Sequence, residues 1–337
     1  MRSLLFVPGD DERKIVKAFE TDADVIILDL EDSVAPGRKN AASAITRDAL
    51  EAMTADMRAS GPQVYVRINP LGDGQAFRDV DMVIPGRPNG IVLPKCESGT
   101  DASQASEMLV RAESELGVTT GTVKMMAIMT ETAASLFNAG SYSKVATRLI
   151  ALSWGAEDLS ADIGATQTRD DNGRFLAPYE FARTLCLTGA AAAKLDAIDT
   201  VYVDFKDSAG LKRECEEALR DGFSGKLAIH PAQIPIINEA FTPLKSVVAK
   251  AQAIVEGFEK SAGTGVIAID GEMVDRPHLV RAHKIIARAE QFGERDDPKP
   301  KARRKPAARK SPARKKSTTS KKSSTKRKSA PRRKAAS

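Results

Sequence analysis

Eight short apolar runs alternate with amphipathic segments along most of this chain, and this alternation restricts the fold more than any other feature. Segments between the runs are amphipathic or rich in Ala and are predicted to be helices. Strands that alternate with helices form a parallel sheet. The runs are predicted to be buried β-strands at residues 3–7, 24–30, 63–68, 90–93, 123–129, 148–153, 201–203 and 226–229.

Eight βα units match the (β/α)8 or TIM barrel, whose usual length is about 250 residues. A doubly wound sheet is the structural alternative. It is disfavoured because the first βα turn, Pro8-Gly9-Asp10-Asp11, lacks the GxGxxG pattern. We therefore predict an α/β fold, with a TIM barrel over residues 1–240 and a C-terminal helical arm or lid over residues 241–295.

Charge is distributed very unevenly along the chain. Of the 51 Lys and Arg residues, 18 lie in residues 298–337, which contain no Asp or Glu. Residues 1–297 therefore hold the other 33 basic side chains and all 45 acidic ones, a net charge of −12, although the whole chain carries +6. Residues 298–337 consist only of Lys, Arg, Ser, Ala, Pro and Thr. Such a segment cannot bury enough apolar surface to fold, so we predict a disordered basic tail over residues 296–337.

A tail of this composition predicts salt-dependent binding of polyanions, DNA and RNA included, without sequence preference. Two other interpretations remain open. The tail could serve only as a solvated solubility segment, or it could contact the acidic body of its own chain.

Cysteine usage and the start of the chain indicate a reducing compartment. The three cysteines, Cys96, Cys186 and Cys215, are widely spaced, which argues against a disulfide framework or a CxxC zinc site. Strand-like sequence from Ser3 leaves no room for a signal peptide. No apolar stretch approaches the roughly 20 residues that span a bilayer. We expect a cytoplasmic protein without membrane contact, associated with the nucleoid if the tail binds DNA.

Polar side chains follow the predicted strands at their C-terminal ends. In a barrel these positions meet at one mouth, where the active sites of such folds lie. The polar residues after successive strands are Asp29 and Glu31, Arg67 and Asn69, Lys95, Glu131, Asp158, Asp204 and His230.

Glu131 and Asp158 are predicted to be metal ligands. Two carboxylates with waters and substrate oxygens suit Mg2+, with Mn2+ as a substitute. No His or Cys cluster competes for a softer metal. The alternative is that one or both carboxylates cap a helix or form a salt bridge.

Arg67 is a candidate ligand for a substrate carboxylate, because its planar guanidinium matches a carboxylate with two hydrogen bonds. The alternative is an ion pair with Asp29 or Glu31. We predict that Asp29, Glu31 and Lys95 contribute to substrate binding at the same mouth.

Two other residues are interpreted as structural. Pro231 begins a helix directly after His230, which favours a hydrogen-bonded turn over a general base. Cys96 has no evident His partner, so a catalytic thiol is not expected.

In this order, the motifs resemble the citrate lyase β-subunit-like branch of the HpcH/HpaI aldolase superfamily, which includes malyl-CoA and citramalyl-CoA lyases. The resemblance covers about residues 1 to 290 and is specific only when the segments are taken together. They are RSLLFVPG (2–9), ILDLEDSV (27–34), VRIN (66–69), LPK (93–95), ET (131–132), GAEDL (155–159), IHP (229–231) and GEMVDRP (271–277).

The resemblance implies a TIM barrel with a C-terminal arm that assembles into homotrimers or homohexamers. It implies Mg2+ held by Glu131 and Asp158, and a keto acid bound by Arg67. It also implies that Asp275, on the arm, acts as acid and base in the site of a neighbouring subunit. Glu272 stands where the family leads us to expect Lys.

The implied reaction is the reversible Claisen-type cleavage of a 3-hydroxyacyl-CoA thioester, of the malyl, citramalyl or citryl type. Its products would be an α-keto acid and acetyl-CoA. Two alternatives within the family are a malyl-CoA thioesterase and the lyase subunit of a citrate lyase complex.

Overall fold

The computed structural model describes residues 1–72, 74–145, 148–261, 265–269 and 271–298. The predicted disordered tail lies outside the described residues from residue 299 onward. The strands are β1 (Ser3–Pro8), β2 (Val25–Asp29), β3 (Gln63–Arg67), β4 (Gly90–Leu93), β5 (Lys124–Met129), β6 (Leu149–Trp154), β7 (Asp196–Asp199), β8 (Gly225–Ala228), β9 (Val266–Ile269) and β10 (Glu272–Asp275). The α-helices are α1 (Glu12–Phe19), α2 (Lys39–Glu51), α3 (Ala55–Ser60), α4 (Gln75–Val83), α5 (Gly99–Glu115), α6 (Ala133–Leu136), α7 (Ala156–Asp162), α8 (Ala177–Ala193), α9 (Ser208–Asp221), α10 (Ile234–Phe241), α11 (Lys245–Lys260) and α12 (Arg276–Phe292).

Strands β1 to β8 form a closed parallel barrel in sequence order, with β1 paired to both β2 and β8. Alternate residues of each strand point inward and outward. In β2, Val25 and Ile27 join the cluster inside the barrel, whereas Ile26 and Leu28 join the larger cluster that faces the helices. Burial on both faces explains why the strands have continuous apolar sequences, and the predicted TIM barrel is confirmed.

The seventh strand was predicted in the wrong place. The prediction put it at residues 201–203, but β7 is Asp196–Asp199 and Asp204 lies in an exposed loop beyond it. The strand was overlooked because it begins and ends with Asp, which is unfavourable in a buried strand. Asp199 is nevertheless fully buried, because Lys226 Nζ lies 3.0 Å from its Oδ2.

Helices lie between the strands, as predicted. The segment between β2 and β3 holds two of them, α2 and α3. The Thr54 side chain accepts a hydrogen bond from Met57 N and caps α3, which begins a new helix at that point. None of the described helices combines the length and apolarity needed to cross a bilayer.

The arm predicted over residues 241–295 contains α11, the antiparallel hairpin β9–β10 and α12. It has its own small apolar cluster, which includes Ile254 and Val274. Arg288 on α12 donates to Phe241 O at 2.6 Å and to Ser224 O at 2.5 Å. Because Ser224 directly precedes β8, this part of α12 is fastened to the N-terminal end of the barrel, opposite the mouth. Residues Met1–Asp297 form one compact unit, and the boundary at residue 240 stays a prediction.

A buried ion pair at the N-terminal end of β6 supports the barrel. Arg148 Nη2 lies 2.9 Å from Glu113 Oε2, and both side chains are buried. Replacing Arg148 by Ala would leave the Glu113 charge buried without its partner. We expect Arg148→Ala to lower the free energy of unfolding by about 3 to 5 kcal/mol, measured by urea denaturation. Arg47→Ala breaks an exposed pair with Glu51 and should cost less than about 1 kcal/mol. Equal losses in the two variants would contradict this account.

Candidate active site at the barrel mouth

A cavity of about 230 Å3 opens at the C-terminal ends of the barrel strands. It brings together four of the predicted site residues. The lining residues include Asp29, Arg67, Glu131 and Asp158, with Phe6, Trp154 and Gly155. Glu31 and Lys95 adjoin this group through ion pairs.

Glu131 is a buried carboxylate at the end of β5, with 4% of its surface exposed. Its Oε2 accepts a hydrogen bond from Lys95 N, and among the described residues it forms no salt bridge. Burial, reinforced by the nearby Asp158 carboxylate, raises the pKa of Glu131 to about 8. The positive charge of Arg67 opposes this rise in pKa but does not outweigh the cost of burying the carboxylate.

The backbone around Glu131 has an uncommon conformation. Thr130 and Lys95 have φ angles of +58° and +48°, in the left-handed region that side chains other than glycine seldom adopt. Each such residue costs of the order of 1 kcal/mol or more, and such residues concentrate at functional sites. Here the two bends follow β4 and β5 and direct Lys95 N at the Glu131 carboxylate.

Asp158 lies in the first turn of α7 and is about one-third exposed. The preceding Gly155 lets the turn approach Glu131 closely. A Cβ atom on Gly155 would lie 2.7 Å from Glu131 Cγ and 2.8 Å from its Oε1. Glycine is therefore required if both carboxylates are to face the same cavity.

The donor set at the mouth fits a hard divalent cation. The mouth holds six carboxylates and two cationic groups, Arg67 and Lys95; the carboxylates are Asp29, Glu31, Asp32, Glu131, Glu157 and Asp158. When all are ionised, the carboxylates outnumber the cationic groups and leave net negative charge. No group of three or more His, Cys, Asp or Glu in the described part of the chain is arranged to hold a metal by itself. Two protein carboxylates completed by water and substrate oxygens are the pattern that Mg2+ favours.

Arg67 is held rigidly by the carboxylates that follow β2. Its Nε and Nη2 donate to the two oxygens of Asp29 at 2.6 and 2.7 Å, and its Nη1 lies 2.8 Å from Glu31 Oε2. The ion pairs with Asp29 and Glu31, predicted as the alternative role of Arg67, are therefore present. The hydrogen bonds to Asp29 use two of the five guanidinium N–H groups, so N–H groups remain for a substrate carboxylate. Burial alone would raise the pKa of Asp29, but the hydrogen bond and charge of Arg67 outweigh it and the pKa is lowered.

Lys95 connects two sides of the mouth. Its ammonium group contacts Glu31, lies 3.2 Å from Asp158 and lies 3.3 Å from Asp32. Burial would lower the pKa of Lys95, but these carboxylates raise it, so the side chain stays charged. Lys95 therefore contributes permanent positive charge beside the predicted metal ligands.

Asp275 lies outside this cavity. It ends β10 and precedes α12, where its Oδ1 is 2.5 Å from His278 Nδ1 and about two-fifths of its side chain is exposed. A second cavity of about 480 Å3 lies in the arm and is lined by apolar side chains together with the polar residues Ser246, Lys250, Glu272, His278 and Arg281. Glu272, which replaces the expected Lys, pairs with Lys250 at 2.7 Å.

The structure also clarifies the residues interpreted as structural. His230 Nδ1 accepts a hydrogen bond from Ala232 N and caps the turn at Pro231. Burial raises the pKa of the Cys96 thiol to about 12, so it stays protonated. Two residues near the site were not predicted from the sequence, Phe6 and Asp199. The centre of the Phe6 ring lies 4.7 Å from the Arg67 guanidinium carbon. Correct placement of β7 would have located Asp199 at a strand end.

The raised pKa of Glu131 predicts how stability depends on pH. A folded-state pKa raised from 4.5 to about 8 means that the folded protein binds more protons than the unfolded chain between these values. Stability of the metal-free protein should therefore fall as the pH rises from 5 to 8. Glu131→Gln removes this contribution, at most about 5 kcal/mol at 1.36 kcal/mol per pKa unit. Urea denaturation in EDTA at both pH values should show wild type losing stability relative to Glu131→Gln, and parallel changes would contradict the assignment.

Comparison with protein families gives two matches. The sequence profile described as HpcH/HpaI aldolase/citrate lyase matches residues 2–231. A profile described as C–C bond lyase of the TIM-barrel fold matches residues 174–294.

Comparison with individual proteins identifies relatives from the same family. The citrate lyase subunit beta of Leuconostoc mesenteroides subsp. cremoris is 33% identical over 85% of this chain and 92% of its own length. The (3S)-malyl-CoA thioesterase of Cereibacter sphaeroides is 34% identical over 86% of this chain and 94% of its own. A crystal structure of CitE from Mycobacterium tuberculosis with magnesium, acetoacetate and coenzyme A superposes with a TM-score of 0.69 at 30% identity, covering 86% and 98% of the two chains.

Proposed function

This chain belongs to the HpcH/HpaI aldolase/citrate lyase family, and on that basis we propose that it is a Mg2+-dependent CoA-ester lyase. The substrate would be a 3-hydroxyacyl-CoA of the malyl, citramalyl or citryl type, split into an α-keto acid and acetyl-CoA. One observation supports this most strongly. Glu131 and Asp158 share a cavity with an Arg67 whose guanidinium is already oriented.

Glu131 and Asp158 are the residues that would hold the cation, through oxygens that a hard ion prefers. Bound there, the cation would act as a Lewis acid toward the substrate oxygen that becomes the ketone, and as a template for the keto acid. Mn2+ should replace Mg2+, because it also accepts carboxylate and water ligands.

Arg67 would bind the carboxylate of the keto-acid portion and offset its charge. Asp29 and Glu31 contribute to substrate binding by fixing the guanidinium. Lys95 would add positive charge at the rim of the cavity, where it faces Asp158.

Asp275 would act as the general acid and base from a neighbouring subunit of a homotrimer or homohexamer. Two observations support this. Asp275 is partly exposed on the arm, and it is not among the described residues that line this chain's own mouth. In the cleavage direction the hydroxyl would release its proton to solvent water as the carbonyl forms, the electrons of the broken C–C bond would pass to the acetyl-CoA α-carbon, and Asp275 would carry a proton taken up from solvent. Asp275 would protonate that carbon, and would remove the proton in the condensation direction.

The thioesterase named among the relatives is the main alternative activity. A panel of malyl-, citramalyl- and citryl-CoA with Mg2+ separates the two by product. The lyase releases an α-keto acid and acetyl-CoA, whereas a thioesterase releases a hydroxy acid and free CoA. Keto-acid formation supports the proposal and hydroxy-acid formation alone overturns it. Activity only with a thioester on acyl-carrier protein would instead indicate the lyase subunit of a citrate lyase complex.

A separate proposal concerns the basic tail, which we expect to bind DNA or RNA through charge. Its support is the 18 Lys and Arg residues without any Asp or Glu in residues 298–337. A gel-shift titration should show binding by the full chain that weakens steeply with salt and disappears after truncation at Pro298. An unchanged gel shift in the truncated protein would show that the tail is not the nucleic-acid-binding segment.

A further inference from the structure

A second charged cluster, which we call the Asp199 cluster, lies on the outer side of β7 and β8, against α8 and α9. It consists of Asp199, Lys226, Glu214 and Arg183. Lys226 Nζ lies 3.0 Å from Asp199 Oδ2 and 2.7 Å from Glu214 Oε1, and Arg183 Nε lies 3.1 Å from Asp199 Oδ1. Asp199 and Lys226 are fully buried. Removing such charges from water costs several kcal/mol per ion, so apolar residues would stabilise the barrel at least as well.

Trp154 connects this cluster to the mouth. Its indole Nε1 donates to Asp199 Oδ1 at 2.8 Å, and its ring packs edge-on against Phe175 at 5.0 Å between centroids. Trp154 is fully buried, yet it lines the same cavity as Glu131 and Asp158. It is also the last residue of β6, directly before Gly155.

We propose that Asp199 is a positioning residue for the cation site and acts through Trp154. The charged partners fix the Asp199 carboxylate, the carboxylate fixes the indole, and the indole fixes the turn from Gly155 to Asp158. This inference rests on the proposed function, because it assumes that Glu131 and Asp158 hold the cation.

The tight packing of Gly155 explains why the turn must be fixed. Gly155 lies against the Glu131 side chain. A shift of the turn would therefore displace both Asp158 and Glu131. Mg2+ requires near-octahedral ligands at about 2.0 to 2.1 Å and tolerates little displacement. Residues that orient metal ligands typically contribute 10- to 100-fold to metal affinity.

Binding of Mn2+ to the full-length protein, measured by electron paramagnetic resonance, tests the inference without relying on turnover. Trp154→Phe keeps an aromatic ring and removes the N–H donor. We expect it to weaken Mn2+ binding by about tenfold or more. Asp199→Asn keeps an oxygen that accepts the indole hydrogen bond but removes the charge that holds this side chain against Lys226 and Arg183. It should therefore weaken Mn2+ binding less than Asp199→Ala does.

Glu113→Gln is the matched control, because it weakens the buried pair with Arg148 at the other end of β6. It should lower the free energy of unfolding and leave Mn2+ affinity at the wild-type value. Trp154 is the single tryptophan of the chain, so paramagnetic quenching of its fluorescence in wild type places the bound Mn2+ at this mouth.

The outcomes separate the inference from the proposed function. Wild-type affinity in Trp154→Phe, or equal weakening in Glu113→Gln, overturns the positioning role while the cation site stands. Absence of Mn2+ binding in wild type, or unchanged binding in Glu131→Gln, overturns the cation site and the inference with it.

Discussion

Glu131→Gln is expected to abolish cation-dependent turnover, lowering kcat by roughly a thousandfold or more. A cation acting as a Lewis acid contributes several kcal/mol to the transition state, and each 1.36 kcal/mol is tenfold in rate. The substitution keeps the size of a buried side chain and removes the charge that would hold the cation. The measurement is kcat with Mg2+ after complete removal and re-addition of metal.

Glu115→Gln is the control for this experiment, since it removes an exposed carboxylate on α5 that pairs with Arg111. It should leave kcat unchanged. Asp158→Asn should resemble Glu131→Gln. Full activity of Glu131→Gln with re-added Mg2+ would show that the cation is held elsewhere.

Asp275→Asn is expected to keep cation and keto-acid binding and to lose turnover by about 100- to 10,000-fold, the range for a missing general acid or base. If Asp275 completes a neighbouring site, two inactive variants should rescue each other. An Asp275→Asn subunit offers an intact mouth, and a Glu131→Gln subunit offers an intact arm. Random assembly of equal amounts of the two variants should then restore roughly a quarter of wild-type activity, because half the mouths and half the arms are intact, and about a third in trimers that contain both variants.

The rescue can be measured by co-expressing the two variants with different affinity tags and purifying the mixed species. Each variant alone serves as the control. If the mixed oligomers stay inactive, or if Asp275→Asn still exchanges the methyl protons of acetyl-CoA at the wild-type rate, Asp275 is not a base supplied by another subunit.

Much of the barrel could be predicted because buried parallel strands have continuous apolar sequences. Seven of the eight predicted runs overlap the strands of the closed barrel. The seventh strand could not be found in this way. Its buried Asp199 is compensated by Lys226 and Arg183, which are distant in sequence and come together only in the folded chain.

The site, like the barrel, was predictable in its strand-end positions but not in its side-chain contacts. Parallel strands place their C-terminal ends at one mouth, so residues such as Arg67 and Asp158 could be predicted to meet there. Side-chain pairing could not be predicted, because Arg67 had both Asp29 and Glu31 available and contacts both. The left-handed backbone at Thr130 and the indole contact with Asp199 depend on packing that no local pattern records.

Anomalous X-ray diffraction from crystals grown with Mn2+ and pyruvate would locate the cation and the keto acid in one measurement. We predict one strong anomalous peak at the mouth, within coordination distance of both Glu131 and Asp158, about 2 Å from their oxygens. The pyruvate carboxylate should face Arg67. A peak elsewhere in the chain, or pyruvate bound away from Arg67, would show that Glu131, Asp158 and Arg67 do not form the cation and keto-acid site.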